Sequence, residues 1–213
     1  MEKTEVRRFE VGALQANAYL ITDEATGKMA VIDPGAADAA LFSAIRAGGN
    51  LQWILLTHGH ADHIGAVKIL REETGAQVVA HSWEQPLLQS AGLNLSRQFG
   101  CPMSFSADVT VQEGACIRLG ETELKVLHTP GHTAGSVCYQ MGRFLFTGDT
   151  LFAGSMGRVD FPTGDLNAMR DSLKRLAELP GDFQILSGHG EKTTLAQERR
   201  TNPYLQRRRE EKE

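Results

Sequence analysis

Apolar and polar positions alternate with two different periods along the chain, and the change of period separates strands from helices. The segments "EVRRFEV", "ANAYLITDE" and "KMAVIDPG" have the short alternating or apolar runs of strands, and the last ends in a Pro-Gly turn. "AADAALFSAIRAGG" then has helical spacing and a glycine stop, and "QWILLT" is a continuous apolar run typical of a buried strand. The first quarter of the chain is therefore predicted to be three strands, a helix and a buried strand.

Helical spacing returns after that buried strand. "HIGAVKILREETG" predicts one amphipathic helix with Ile64, Val67, Ile69 and Leu70 on one side. "AQVVAH" follows as a strand, and "SWEQPLLQSAG" as a helix capped by Ser82. The pattern thus moves from strands to helices within the first half.

The second half repeats this order. "VTVQEG", "ACIRLG" and "TELKVLHTPG" read as strands joined by glycine turns, and "GSVCYQMG" with "RFLFTGD" as a hairpin. A strand in "FQILSGHG" separates two helices: "DLNAMRDSLKRLAELPG", and "TTLAQERRTNPYL", which Thr193 or Thr194 would cap. The apolar face of the first of these helices is predicted to comprise Leu166, Met169, Leu173 and Leu176.

Strands followed by helices, twice over and without strict βαβ alternation, indicate an α/β fold with two sheets flanked by helices. Residues 1–205 are expected to form one domain, and the charged tail at 206–213 to fray into solvent.

Composition and charge argue against several classes of function. A net charge of −4 argues against a nucleic-acid partner bound by a basic face, and no apolar run approaches the length of a membrane span. The N-terminus lacks the pattern of a signal peptide, and three scattered cysteines without a CxxC motif indicate free thiols. We therefore expect a cytoplasmic protein that acts on neither membranes nor nucleic acids.

Candidate chemistry concentrates directly after the buried strand. In "LLTHGHADHIG", four residues that can bind metals fall within six positions: His58, His60, Asp62 and His63. Three later strands also end in such residues beside glycine or another small residue: "VLHTPGHTAGS" with His132, "FLFTGDTLF" with Asp149 and "ILSGHGEKT" with His189. Imidazole and carboxylate are the ligand types that zinc and similar metals take.

Seven such side chains exceed the needs of one tetrahedral ion and suit two divalent ions about 3.5–4 Å apart. Zinc is the expected metal, and iron and manganese accept the same ligands. The predicted division is His58, His60 and His132 on one ion, Asp62, His63 and His189 on the other, and Asp149 between them.

The ordered motifs "THGHADH", "GHT", "GDTLF" and "SGHG" resemble the metallo-β-lactamase superfamily, and within it the hydrolases of glyoxalase II type. The resemblance runs from "VIDPG" at 31–35 to "NPYL" at 202–205 and implies an αββα sandwich with a dinuclear site at one edge. Because the sequence given stops soon after "NPYL", before the helical segment with which glyoxalase II continues, the resemblance is to the shorter bacterial branch.

The resemblance also implies roles for residues around the centre. Arg158, in the loop after Asp149, corresponds to a basic residue that holds the glutathione part of the substrate. Asp33 in "IDPG" is expected to hydrogen-bond a ligand histidine, although an aspartate before Pro-Gly also suits a turn. His81 and His128 lie outside the motifs and are predicted to be structural.

The predicted reaction is hydrolysis of a small-molecule thioester. A water bridging two metal ions loses its proton near neutral pH, and Asp62 would bind its ion and help to orient the resulting hydroxide towards the carbonyl carbon. By resemblance, the substrate is S-lactoylglutathione and the products are lactate and glutathione, which makes the chain a candidate for methylglyoxal detoxification.

Three alternatives remain open at this point. A persulfide dioxygenase of the same superfamily would hold one iron with His58, His132 and Asp149, and shares a "GR-x-DF" loop like the one at 157–161. However, the dioxygenases place Asp and Tyr after the last histidine, where this chain has "SGHGEKT". A lactonase or another ester or phosphodiester hydrolase could use the same centre. A binding module without activity is disfavoured because all seven ligands are present.

Overall fold

A computed structural model of the protein describes residues 4–206. The strands of the two large sheets are Thr4–Val11 (β1), Ala16–Asp23 (β2), Lys28–Ile32 (β3), Leu51–Leu55 (β4), Gln77–His81 (β5), Val109–Val111 (β6), Cys116–Leu119 (β7), Thr122–His128 (β8), Val137–Met141 (β9), Phe144–Gly148 (β10), Gln184–Ser187 (β13) and Thr193–Thr194 (β14). A small hairpin comprises Leu151–Phe152 (β11) and Ser155–Met156 (β12).

Seven α-helices lie among the described residues: Ala39–Gly48 (α1), Ala61–Ile64 (α2), Val67–Thr74 (α3), Gln85–Leu88 (α4), Leu166–Ala177 (α5), Leu195–Thr201 (α6) and Pro203–Gln206 (α7). A 3-10 turn at Ser82–Glu84 precedes α4. In the part of the chain from residue 4 to residue 206, no helix has the length and apolar character needed to cross a membrane. Except for Gln206, which ends α7, the tail expected to fray lies outside the described residues.

Both large sheets are mixed and have six strands. The first has the order β1-β2-β3-β4-β5-β6, antiparallel through β3 and parallel from β3 to β6. The second has the order β14-β13-β10-β9-β8-β7, in which β10 and β13 are the only adjacent strands that run parallel. The predicted hairpin of "GSVCYQMG" with "RFLFTGD" is confirmed as the antiparallel pair β9 and β10.

The sheets face each other across a buried apolar layer. Tyr19 of β2 and Phe146 of β10 meet there edge to face, with ring centroids 5.3 Å apart. On the outer face of the first sheet, Leu20 packs in one cluster with Leu41 of α1 and Leu70 of α3. On the outer face of the second sheet, residues of α5 pack in a third cluster. The αββα arrangement expected from the resemblance is therefore confirmed.

The prediction of one continuous helix over residues 63–75 is wrong. The backbone N–H of Ala66 donates to the carbonyl of Pro34 at 2.8 Å rather than to a carbonyl one turn back, and the chain divides into α2 and α3. Ile64, Val67 and Leu70 are buried as predicted, but Ile69 is 41% exposed.

Two helix starts also differ from the sequence expectation. The segment predicted to begin after Ser82 starts as the 3-10 turn before α4, and the N-cap of that turn is His81 rather than Ser82, because the Nδ1 atom of His81 accepts the backbone N–H of Trp83. Leu166 is 42% exposed rather than buried, since it is the first residue of α5. Thr194 does cap α6, and its hydroxyl accepts the backbone N–H of Gln197.

Candidate metal centre

The predicted metal-binding side chains all follow the carboxyl ends of strands. His58 to His63 follow β4 in the first sheet. In the second sheet, β8, β10 and β13 point the same way and are followed by His132, Asp149 and His189. A backbone hydrogen bond of 2.9 Å from the first residue of β9 to the carbonyl of Thr57 joins the sheets beside these ends. Residues far apart in sequence therefore meet at one edge of the sandwich.

The seven side chains form two clusters of three with one aspartate between them. The possible ligand atoms of His58, His60 and His132, here called the first trio, lie within 4.8 Å of one another. Those of Asp62, His63 and His189, here called the second trio, do the same. These trios are the two groups that the sequence predicts for two separate ions.

Asp149 lies between the trios. Its Oδ1 atom is 3.5 Å from Nε2 of His63 in the second trio. Its Oδ2 atom is 3.6 Å from Nε2 of His132 in the first trio and 3.7 Å from Nε2 of His189 in the second. One carboxylate thus reaches both groups, as a bridging ligand must.

The chemistry of the cluster fits divalent metal ions. Buried polar atoms are normally hydrogen-bonded, yet four atoms here have no partner among the described residues: Nε2 of His58, His60 and His63, and Oδ1 of Asp149. Leaving a buried polar atom unpaired costs about 1–3 kcal/mol. A cation that accepted these lone pairs would remove that cost, so the donor set suits metal ligation.

Hydrogen bonds from outside the trios hold two ligand histidines in orientation. Nδ1 of His63 lies 3.0 Å from Oδ2 of Asp33, which also accepts the Thr57 hydroxyl at 2.5 Å. Nδ1 of His132 lies 2.7 Å from the carbonyl oxygen of Arg158 and, as that oxygen can only accept, must carry the proton. In both histidines Nε2 is left to face the centre, the arrangement usual for metal-binding imidazoles. The contact expected for Asp33 is therefore present.

The two trios differ in electrostatic environment. Burial, reinforced by the neighbouring histidines His132 and His63, lowers the pKa of His60 to about 3, so its imidazole stays neutral. For His63, burial opposes protonation, but the carboxylates of Asp149, Asp62 and Asp33 outweigh it and raise the pKa to about 10. A histidine whose surroundings attract a proton this strongly lies in a negative potential that also attracts a divalent cation.

Arg158 lies beside the centre but is already paired. Its guanidinium binds both carboxylate oxygens of Asp160, at 2.7 and 2.6 Å, and lies 3.9 Å from the ring centroid of Phe161. The Phe161 ring contacts His60 edge to face at 5.5 Å. Arg158 therefore connects to the first trio through Phe161 and through its own carbonyl, while its role in substrate binding stays a prediction.

His81 and His128 lie apart from both trios. Their rings stack on each other with centroids 4.0 Å apart, and each contacts the indole of Trp83. Neither histidine belongs to a metal-binding group found among residues 4–206.

Sequence reasoning missed two residues that contact the centre or support it: Thr57 and Phe161. Thr57 bonds Asp33 and lies 3.1 Å from Nδ1 of His58 through its hydroxyl. Its position beside the ligand motif was a signal that could have identified it.

Comparisons with known proteins agree with this geometry. The family model described as the metallo-beta-lactamase superfamily matches residues 11–189. Hydroxyacylglutathione hydrolase GloC of Haemophilus influenzae is 37% identical over 202 residues, which cover 92% of this chain and 95% of that protein.

Two solved structures extend the comparison. The structure of TTHA1623 in a di-iron-bound form is 40% identical with a TM-score of 0.81, covering 94% of this chain and 100% of that one. The structure of ETHE1 from Myxococcus xanthus is 33% identical with a TM-score of 0.76, covering 93% of this chain and 83% of that one. With the fold and the family model in agreement, the chain belongs to the metallo-β-lactamase superfamily.

Proposed function

We propose that the chain is a metal-dependent thioester hydrolase of glyoxalase II type, which converts S-lactoylglutathione and water to lactate and glutathione. The observation that carries this proposal is the pair of trios joined by Asp149, because that arrangement provides ligands for two ions. The similarity to a hydroxyacylglutathione hydrolase over nearly the whole chain supports the choice of substrate.

Two divalent ions in such a centre supply a Lewis acid for the thioester carbonyl and promote ionisation of water near neutral pH. The residues of the chain would bind and orient these reactants. Burial opposes ionisation of Asp62, but His63 and His189 lower its pKa, so it remains a carboxylate. Its Oδ2 atom lies 3.2 Å from Nε2 of His189. As a carboxylate, Asp62 would bind an ion of the second trio and help to orient the attacking water towards the carbonyl carbon.

The substrate would enter beside the loop at 157–161. Phe161 provides an apolar surface against His60, and Arg158 above it provides the positive charge that a glutathione carboxylate requires. Because Asp160 already pairs with Arg158, the substrate must share or displace that ion pair. We therefore expect Arg158 to affect substrate affinity more than the chemical step.

A persulfide dioxygenase is the second candidate, and the likeness to ETHE1, a persulfide dioxygenase, favours it. That activity would use one iron held by His58, His132 and Asp149, and would leave the second trio without a role. The second trio is complete, and its members lie together. The hydrolase uses every residue of the centre, which is the reason for preferring it.

The test compares the two activities in one preparation of known metal content. Loss of S-lactoylglutathione absorbance with kcat/KM on the order of 10⁴ M⁻¹ s⁻¹ or more is the expected result. Oxygen consumption with glutathione persulfide, without thioester hydrolysis, would establish the dioxygenase instead. If the protein with two ions hydrolysed other thioesters but not S-lactoylglutathione, the proposed reaction would stand and the proposed substrate would be wrong.

A further inference from the structure

We propose that Glu84 is a positioning residue for the metal ion held by the first trio, and that it acts by fixing the two loops that carry those histidines. The inference rests on the metal centre of the proposed function and adds a residue that the ligand motifs do not include.

The carboxylate of Glu84 joins two separate loops. Its side chain is buried, with the residue only 1% exposed, and its Oε2 atom accepts the backbone N–H of Gly59 at 3.1 Å. Its Oε1 atom accepts the backbone N–H of Gly135 at 2.9 Å and the hydroxyl of Thr133. The two backbone N–H groups can only donate, so each oxygen of the Glu84 carboxyl group accepts a hydrogen bond from a different loop.

These donors lie beside the first trio. Gly59 separates His58 from His60, and Thr133 directly follows His132. One carboxylate therefore bonds the backbone or side chains next to all three histidines of the first trio. None of its partners is adjacent to a residue of the second trio, where Asp33 instead contacts His63.

Close packing shows that the two loops are built around this side chain. A Cβ atom added at Gly59 would lie 3.2 Å from Oε2 of Glu84 and 2.6 Å from a methyl carbon of Leu87. One added at Gly135 would lie 2.7 Å from the backbone nitrogen of Glu84. At Gly135 the clash is with the backbone of Glu84, so a larger residue there would displace the loop from the carboxylate. At Gly59 the clash is with methyl groups of leucine side chains, which would have to move to admit a larger residue.

The chain contains a second buried glutamate that can serve as a matched control, because its hydrogen-bond partners do not neighbour the candidate metal ligands. Glu198 is 2% exposed and also binds three donors: the backbone N–H of Gly154, the side-chain amide of Asn202 and the hydroxyl of Thr193. None of these three is adjacent in sequence to a residue of either trio or to Asp149. Loss of this carboxylate therefore measures the general effect of removing a buried, hydrogen-bonded glutamate.

The experiment uses Glu84→Gln, with Glu198→Gln as its control. Glutamine keeps the size of the side chain but has one acceptor oxygen, so its NH₂ group must face the N–H of Gly59 or the donors at Gly135 and Thr133. Both variants and the wild type are freed of metal and titrated with Zn²⁺ against a chromophoric chelator. Urea unfolding of the metal-free forms measures stability separately.

We expect Glu84→Gln to weaken one zinc ion roughly 10- to 100-fold, as loss of outer contacts to metal ligands does, and to leave the other ion unchanged. Anomalous diffraction of the variant crystals should locate the retained ion beside His63 and His189. Glu198→Gln should bind both ions with wild-type affinity even where its stability falls as much. Glu84→Ala should have a larger effect than Glu84→Gln, but Glu84→Gln alone decides the matter if the alanine variant does not fold.

Two results would overturn the inference: wild-type affinity for both ions in Glu84→Gln, or equal weakening of both ions in Glu84→Gln and Glu198→Gln. In either case a wild type that binds two ions leaves the proposed function intact. A wild-type chain that binds no zinc, iron or manganese would instead refute the metal centre itself, and the role of Glu84 with it.

Discussion

Replacing Asp33 by asparagine would remove one negative charge next to the second trio while preserving the shape of the side chain. Asp33 has a φ angle of 50°, in the left-handed region that asparagine tolerates better than most residues. The substitution therefore changes charge and hydrogen bonding without adding backbone strain. Alanine at this position would introduce that strain as well, which makes Asp33→Asn the cleaner perturbation.

The size of the effect follows from the hydrogen bonds of Asp33. Its two oxygens serve three contacts: the backbone N–H of Thr57 at 2.8 Å, the Thr57 hydroxyl at 2.5 Å and Nδ1 of His63 at 3.0 Å. Asparagine has one acceptor oxygen, so at least one buried donor loses its partner, at about 1–3 kcal/mol. Weaker support of His63 should reduce metal affinity about 10- to 100-fold, equivalent to roughly 1.4–2.7 kcal/mol.

The assay is zinc titration of the metal-free variant, with Asp23→Asn as the control. Asp23 is also 1% exposed and accepts three hydrogen bonds, two from Thr26 and one from Thr122, but these lie away from the metal centre. Asp23→Asn should lose stability without losing zinc. If Asp33→Asn bound both ions as tightly as the wild type, the reasoning that Asp33 supports a ligand would be refuted.

Three further predictions address the bridge, the substrate loop and acid stability. Asp149→Ala should lose most bound metal and most activity, since its carboxylate reaches both trios; elemental analysis that still finds two ions would contradict this. Arg158→Ala should raise KM for S-lactoylglutathione with kcat little changed, and steady-state kinetics showing the reverse would exclude a binding role. Burial and the neighbouring His128 lower the pKa of His81 to about 4. Its contribution to stability is therefore complete above pH 6.5 and falls as the pH drops towards 4. Between pH 7 and pH 5, the free energy of unfolding measured in urea should fall less in His81→Gln than in the wild type. An equal fall in both proteins would count against the lowered pKa of His81.

The ligands of the metal centre are predictable because each lies at the end of an apolar run. His132, Asp149 and His189 lie 74, 91 and 131 positions after His58, yet the common direction of β8, β10 and β13 brings them to one edge. The types of these side chains and their order along the chain indicate a shared metal site, but they do not give the distances between the side chains. That the two sheets stack as a sandwich came from the resemblance, and apart from the hairpin of β9 and β10 the order of the strands was not predicted.

Other features depend on contacts that no local pattern contains. The break between α2 and α3 results from the hydrogen bond of Ala66 to Pro34, which belongs to a different segment. Arg158 was predicted from its loop, but its pairing with Asp160 is visible only in three dimensions, because arginine and aspartate two positions apart are common on surfaces. Glu84 was missed for the same reason: its burial follows from the loops that fold over it.

The number of metal ions bound per chain distinguishes a dinuclear hydrolase from a mononuclear dioxygenase. Metal-free protein would be reconstituted with zinc, then with iron, desalted and analysed for metal and protein content. We predict two ions per chain, one for each trio, with Asp149 between them. One ion per chain, bound by His58, His132 and Asp149 and leaving Asp62, His63 and His189 without metal, would contradict it and favour a mononuclear dioxygenase.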